Sequence, residues 1–255
     1  MLFIPNQEVL GVSVSVINLT DAINILCQWI NIKKNNFVCV TPVHALMECH
    51  RDKLIRNVYN QAGLVTPDGM AVVWILKLYG HKEVGRVYGP DLLLELCKTS
   101  LQTGYNHFFY GNTEFVLSNL KIKLEEKYPG IQIAGSISPP FRELSDQEDE
   151  EICKQISASG ADILWVGLGS PKQELWMYNH QGKIDVPVMI GVGAAFDFLS
   201  GNKPQAPRWI QRSGLEWFYR FLQEPRRLWK RYLLGYPRFV VLIMIELFKK
   251  RILKR

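Results

Sequence analysis

The sequence predicts an α/β protein carrying a helical appendage, and three observations support this. Short β-rich runs alternate with helical patterns up to about residue 200, apolar runs end repeatedly in polar or glycine-bearing loops, and the remainder turns helical, basic and aromatic. Strands alternating with helices of this length predict a Rossmann-like, mainly parallel sheet with helices on both faces. With 47% hydrophobic and 21% charged residues over 255 positions, the composition excludes a disordered chain and suits one large domain with an extension. The expected division is 1–202 for the α/β body and 203–255 for a helical basic C-terminal appendage.

Along the chain, "EVLGVSVSVIN" is β-rich and leads to "LTDAINILCQWI", where Asn18 or Thr20 caps a helix with an apolar face. "FVCVT" reads as a strand, followed by helices through "HALMECHRD" and "LIRNVYNQAG", the strand "LVT", and a helix from Met70. "HFFYGNTEFVLSNLKIKLEEKYPGIQIAGS" reads strand, turn, helix, strand. "SDQEDEEICKQISASGADILWVGLGSPKQELWM" repeats helix then strand, and "VPVMIGVGAAFDFL" adds another buried strand. In the appendage, Pro225 and Pro237 are expected to divide the helical sequence. Arg220, Arg227 and Arg231, spaced seven and four apart, share one helical face if the helix runs through Pro225. The run "FVVLIMIELF" is too short to span roughly 30 Å of hydrocarbon, so a surface-lying helix is expected there.

Charge is unevenly placed. Up to Asn202 there are 16 Lys/Arg against 21 Asp/Glu, and from Lys203 onward 14 against 3. That asymmetry points to a polyanionic partner for the tail: a membrane surface, a nucleic acid or a phosphorylated ligand. Aromatic and apolar residues interleaved with arginine favour an anionic membrane surface, and no nucleic-acid partner is expected. Cys27, Cys39, Cys49, Cys97 and Cys153 form no CxxC pair and no compact ligand set, so neither a zinc site nor a disulfide framework is expected, and a reducing cytoplasm fits. "MLFIPNQEVLG" lacks the basic and long apolar regions of a signal peptide.

Five loops follow apolar runs: "TPVH" (41–44), "TPDG" (66–69), "YGN" (110–112), "GLGSPKQE" (167–174) and "GVGAAFD" (191–197). In a parallel sheet they share the edge where ligands bind. Asp68 fits two roles there, cap of the next helix or functional carboxylate. "GLGSPKQE" is the best local candidate for phosphate contact, since glycine permits close backbone approach and the following helix N-terminus favours negative charge. It is neither a Walker loop nor GxGxxG, which counts against ATPases and dehydrogenases. The chain has no DxD, HExxH or GxSxG and no carboxylate cluster suited to Mg²⁺. Arg220, Arg226, Arg227 and Arg231 fit two readings, cations for an enzyme that expels a diphosphate without a metal, or charges that solvate a helix or contact anionic lipid. His50, His81, His107 and His180 show no ligand spacing and read as structural; His44 stands out because its loop opens on the same edge as Asp68.

Taken together, "TPVHALMECHRD", "LVTPDGMAVVW", "RVYGPDLL", "GLGSPKQE" and "APRWIQRSGLEWFYRFLQEPRRLWKRY" resemble a bacterial glycosyltransferase family, family 26, over roughly residues 9–235. That family includes the teichoic-acid linkage-unit N-acetylmannosaminyltransferase and the enterobacterial common antigen N-acetylmannosaminuronyltransferase. The resemblance implies inverting, metal-independent sugar transfer from a UDP-sugar donor to an undecaprenyl-diphosphate-linked acceptor on the cytoplasmic membrane face, without a cofactor. It implies Asp68 as catalytic base, Thr41 as an active-site threonine, and Arg86 and Gln173 as substrate-binding residues. Arg220, Arg227 and Arg231 are implied to close over the donor diphosphate. One departure is Val43, where many members carry asparagine; His44 offers a different polar contact. A nucleotide-binding oxidoreductase and a non-enzymatic membrane adaptor are the alternatives, and a homo-oligomer is compatible with the sequence.

Overall fold

The computed structural model describes residues 4–253, with side chains described as far as Lys250. The start of the "MLFIPNQEVLG" segment, and the last of the C-terminal basic residues, Lys254 and Arg255, lie outside the described residues. An antiparallel hairpin, β1 (Asn6–Val9) and β2 (Val12–Ser15), opens the chain apart from the main sheet. Its turn places Leu10 and Gly11 at φ of 50° and 83°, the mirror-image turn that matches strand twist. Leu-Gly lacks the Asn-Gly or Asp-Gly signature of such turns, which is why the sequence shows only one β-rich run here.

Asn18, rather than Thr20, starts α1 (Leu19–Asn31): its side chain accepts from the Asp21 N–H, and the Asp21 carboxylate accepts from the Asn18 N–H. The alternation continues through β3 (Asn36–Thr41), α2 (Val43–Arg51), α3 (Lys53–Gln61), β4 (Leu64–Pro67), α4 (Met70–Leu78) and α5 (Gly89–Thr103). There follow β5 (Asn106–Gly111), α6 (Glu114–Lys127), β6 (Gln132–Ile137), α7 (Asp146–Ala158), β7 (Ile163–Gly167), α8 (Lys172–His180) and β8 (Val188–Gly191). Six strands form one parallel sheet in the order β4-β3-β8-β7-β5-β6. Alternate strand residues enter two cores: Phe37, Cys39 and Val166 pack with α2, α3, α4, α7 and α8, while Val38, Val40 and Trp165 pack with α1, α5 and α6. The fold class is the one the sequence predicts.

From β5 the chain turns to the edge strand β6, whereas from β7 it turns the other way to β8. Their carboxyl ends therefore flank a crevice of the kind where α/β proteins bind ligands. Gly111, at φ 117°, lies so near Gly167 there that a Cβ would stand 2.7 Å from its carbonyl carbon.

Beyond β8 the chain is helical: α9 (Ala195–Leu199), α10 (Arg208–Arg212), α11 (Glu216–Gln223), α12 (Pro225–Trp229), a π turn (Lys230–Leu234) and α13 (Gly235–Leu253). Pro225 opens α12, a position whose N–H has no helical partner anyway. Pro237 does not divide the sequence as expected, because helix continues from Pro225 to Leu253. The π turn just before it widens the backbone, accommodating a ring that cannot donate to Leu233 and would crowd that carbonyl.

The apolar run of the tail is helical but is seated on the body. Phe239 and Ile243 join the core beside α2. Glu246 accepts from the Leu10 N–H at 2.8 Å and the Tyr79 hydroxyl at 2.6 Å, and pairs with Lys250 at 2.8 Å. Val240, Val241, Met244, Ile245 and Phe248 face outward and are exposed. Among the described residues no helix is long and apolar enough to cross a membrane.

Candidate active site

All five loops open on the carboxyl edge of the sheet and line one cleft of about 1250 Å³. Pro42 and His44 come from β3's end, Asp68 from β4's, Tyr110 and Asn112 from β5's, Gly167 to Ser170 from β7's, and Gly191 to Ala195 from β8's. The appendage supplies Arg220, Arg227 and Arg231 to the same cleft.

Asp68 does not cap α4. The N-cap is Gly69, at φ 88°, and it makes no side-chain cap bond, so glycine alone turns the chain from strand into helix. The Asp68 carboxylate, 15% exposed, lies 3.5 Å from Arg86 Nη2, and the same nitrogen is 2.6 Å from Glu216 Oε2 on α11. Burial pushes the Asp68 carboxyl up; Arg86 pulls it down, Glu216 pushes it up and Arg220 pulls it down, leaving it at about 6. A carboxylate with that value is ionised at neutral pH and closer in basicity to the proton it would receive than an ordinary aspartate.

Thr41 and Val43 are placed otherwise than the resemblance suggests. Thr41 is fully buried and outside the cleft wall; its hydroxyl donates to the Cys39 carbonyl at 2.9 Å, and it meets Asp68 through its backbone carbonyl, which accepts the Asp68 N–H at 3.3 Å. Val43 packs into the core, so its side chain is not the polar wall; His44, one residue on, is. Burial, then Arg231 and Arg220, push the His44 pKa well down, so its ring is neutral at physiological pH. Gln173 lines the cleft, but its amide is spent locally: Oε1 accepts from the Gly169 N–H at 3.2 Å and Nε2 donates to Glu174 at 2.9 Å. It shapes the 167–174 turn, which delivers the N-terminus of α8 to the cleft.

The three arginines converge, though not on one helical face. α11 stops at Gln223 and Glu224 leaves helical geometry, so Arg220 belongs to a different helix from Arg227 and Arg231. Arg226 is exposed and outside the wall. Glu224 binds both Lys203, at 3.1 Å, and Arg227. Among the described residues neither Arg220 nor Arg231 has a carboxylate within ion-pair distance; Arg220 rests over the Phe198 ring at 5.5 Å. Arg231 is held below the usual arginine range by burial, with Arg220 and Arg227 adding to the effect. Two half-buried guanidiniums with no carboxylate in direct contact make this wall of the cleft electropositive.

Folding also assembles groups that spacing concealed. Glu216, which no motif in the sequence singles out, is 13% exposed against Arg86. Asp149, Cys153 and His180 carry ligating atoms within 4.8 Å of one another, a set whose members lie on two helices and so escape a search for compact motifs. Within it His180 Nε2 meets Asp149 at 2.8 Å. His107 is structural: the Trp165 indole donates to its Nδ1 at 2.9 Å, Ser100 Oγ lies 2.8 Å from Nε2, and burial pushes its pKa to about 4.

A parallel sheet whose ligand edge holds a buried carboxylate in the same cleft as three arginines defines an α/β protein with a cation-lined cleft. The chain belongs to the glycosyl transferase WecG/TagA/CpsF family, which it matches over residues 7–253, and it is a glycosyltransferase of cell-envelope polysaccharide biosynthesis. It is 32% identical over 196 residues to the N-acetylglucosaminyldiphosphoundecaprenol N-acetyl-beta-D-mannosaminyltransferase of Bacillus subtilis (strain 168), covering 77% of this chain and 74% of that one. The enzyme of the same name from Bacillus spizizenii is 31% identical over 211 residues, covering 83% and 79%. The oxidoreductase and adaptor alternatives give way to this membership.

Proposed function

We propose that the protein is an inverting, metal-independent glycosyltransferase that moves an N-acetylmannosamine-type or related hexose from a UDP-sugar to an undecaprenyl-diphosphate-linked sugar. The observation that carries this reading is the pair of unpaired guanidiniums, Arg220 and Arg231, sharing a cleft with Asp68. The acceptor hydroxyl oxygen attacks the anomeric carbon, its proton passes to the Asp68 carboxylate, and the anomeric C–O bond breaks with its electron pair leaving on the nucleoside diphosphate. One carboxylate suffices for inversion, because the leaving group departs already as an anion, whereas glycosidases need a second group to protonate theirs. Arg220, Arg227 and Arg231 supply positive charge against the negative charge that the departing diphosphate gains, and the N-terminus of α8 adds aligned N–H groups. Thr41 acts through the backbone of Asp68, and His44 and Gln173 shape the sugar-facing wall.

The relatives' names specify a polyprenyl-diphosphate-linked acceptor, which supports the same class of acceptor here. Residues 203–255 then serve as an active-site-closing appendage that also meets an anionic membrane at the cytoplasmic face. The exposed apolar row of α13, beside Arg238 and Lys249, supports that role. The test is mass spectrometry of products formed from a purified lipid-linked acceptor offered a panel of nucleotide sugars in EDTA. The mass of a single added N-acetylhexosamine, with the inverted configuration read from the NMR spectrum of the product, is the expected result; strict dependence on Mg²⁺ or Mn²⁺ overturns the metal-independent reading.

A further inference from the structure

We infer that Glu216 is a positioning residue for Asp68: by taking hold of Arg86, the appendage keeps the carboxylate basic enough to receive a proton. The inference rests on the reading of Asp68 as the base. One nitrogen, Arg86 Nη2, serves both carboxylates, at 2.6 Å from Glu216 and 3.5 Å from Asp68, so the stronger grip belongs to the appendage. The guanidinium is also stacked on Tyr88, 3.9 Å from the ring centroid, which fixes its plane from a third side. Both contacts use Nη2 and Arg86 Nε is buried without a hydrogen-bond partner, so neither carboxylate is clamped by a two-nitrogen fork. All three charged side chains are 13–15% exposed, where such distances carry weight that they lose in open water.

Glu216 is the first residue of α11, so its charge reaches Arg86 only through the appendage. Asp68 is faced by Arg86 and Tyr88 from the α4–α5 connection, by Glu216 and Arg220 from α11, and by Tyr236 from α13. Of these, Glu216 is the one carboxylate. Without its charge, Arg86 is free to close on Asp68, which becomes easier to ionise and poorer at accepting a proton. The body alone therefore holds an aspartate committed to an arginine, and the seated appendage converts it into a base.

The experiment compares pH profiles of kcat/KM for the full-length protein, Glu216→Gln, Glu216→Ala and Asp68→Asn, with UDP binding as a check on folding. The wild type is expected to lose activity on the acid side near pH 6. In Glu216→Gln the acid limb should move down by about one pH unit with a plateau several-fold lower, the pattern of a weaker base. A purely structural glutamate lowers the plateau without moving the limb, and that result overturns the inference. So does failure of both Glu216 variants to fold or bind UDP. An acid limb that survives in Asp68→Asn would instead remove the base reading, whatever Glu216 does.

Discussion

Two carboxylates on the cleft side of the sheet meet arginine in opposite ways. At the β4 end, Asp68 is buried and only loosely held by Arg86, and burial lifts its pKa to about 6. Beyond β6, Glu148 receives both Nη nitrogens of Arg142, at 2.8 and 2.6 Å, together with the Ser145 N–H at 2.9 Å. Those bonds, Arg142 first, pull it to about 2, even though it stands in solvent. A carboxylate saturated with donors is a fastener: it anchors the start of α7 and cannot be persuaded to take a proton. One left short of donors in a dry place has its pKa raised toward neutrality, where it is able to take up a proton.

The largest effect that this contrast predicts is on turnover. Asp68→Asn should cut kcat by about a hundredfold or more with UDP binding retained, whereas Glu148→Gln should leave kcat within about twofold. Parallel kinetics on both variants check it, and comparable losses would erase the distinction. Next come the arginines. Arg220→Ala, which removes an unpaired charge, should lower kcat by about tenfold or more, and Arg227→Ala by less, since Arg227 is shared with Glu224 and more exposed. In both, turnover should suffer more than donor affinity, measured by titration calorimetry beside steady-state rates.

Smaller effects appear in stability. The folded pKa of Asp68 lies above the ordinary aspartate value of 3.8, so the stability that it contributes is full below about pH 4 and lost as pH rises through 6. The melting temperature of Asp68→Asn should therefore gain on the wild type between pH 4 and 8, by roughly 2–6 °C. Glu148 has the opposite sign. Its contribution is present above pH 4.5 and lost as pH falls through 2, so Glu148→Gln should lower the melting temperature slightly at pH 7 and not at all at pH 2. Calorimetric scans across that range test both slopes.

How much of this was written in the sequence depends on how far apart the partners lie. The alternation of strands and helices, the five loop ends and the excess of basic residues after Lys203 are local patterns, and each is found where the pattern placed it. That Asp68, His44, Arg220, Arg227 and Arg231 line one cleft follows from the same kind of pattern, since they stand at loop ends or in a basic run. Glu216 was not legible in that way, because nothing at position 216 announces an arginine 130 residues earlier. Nor was the capture of Thr41's hydroxyl by Cys39, which follows from the pleat of a central strand. The common helical face assigned to the arginines fails on a single residue, Glu224, whose backbone leaves the helix and lets two helices aim at one place.

The unbroken helical path from Pro225 to Leu253 makes the tail a lever. Arg231 stands near one end and Phe248 near the other, about 25 Å away at 1.5 Å per residue. Its fulcrum is the seat where Phe239 and Ile243 enter the body and Glu246 is tied to Leu10 and Tyr79. One helix running through that seat ties the placement of the Arg231 guanidinium to that of the exposed Phe248 end. Reaction rates respond steeply to errors of about 1 Å in the position of a catalytic group. The exposed outer face and the cleft wall are thus two ends of one helical element.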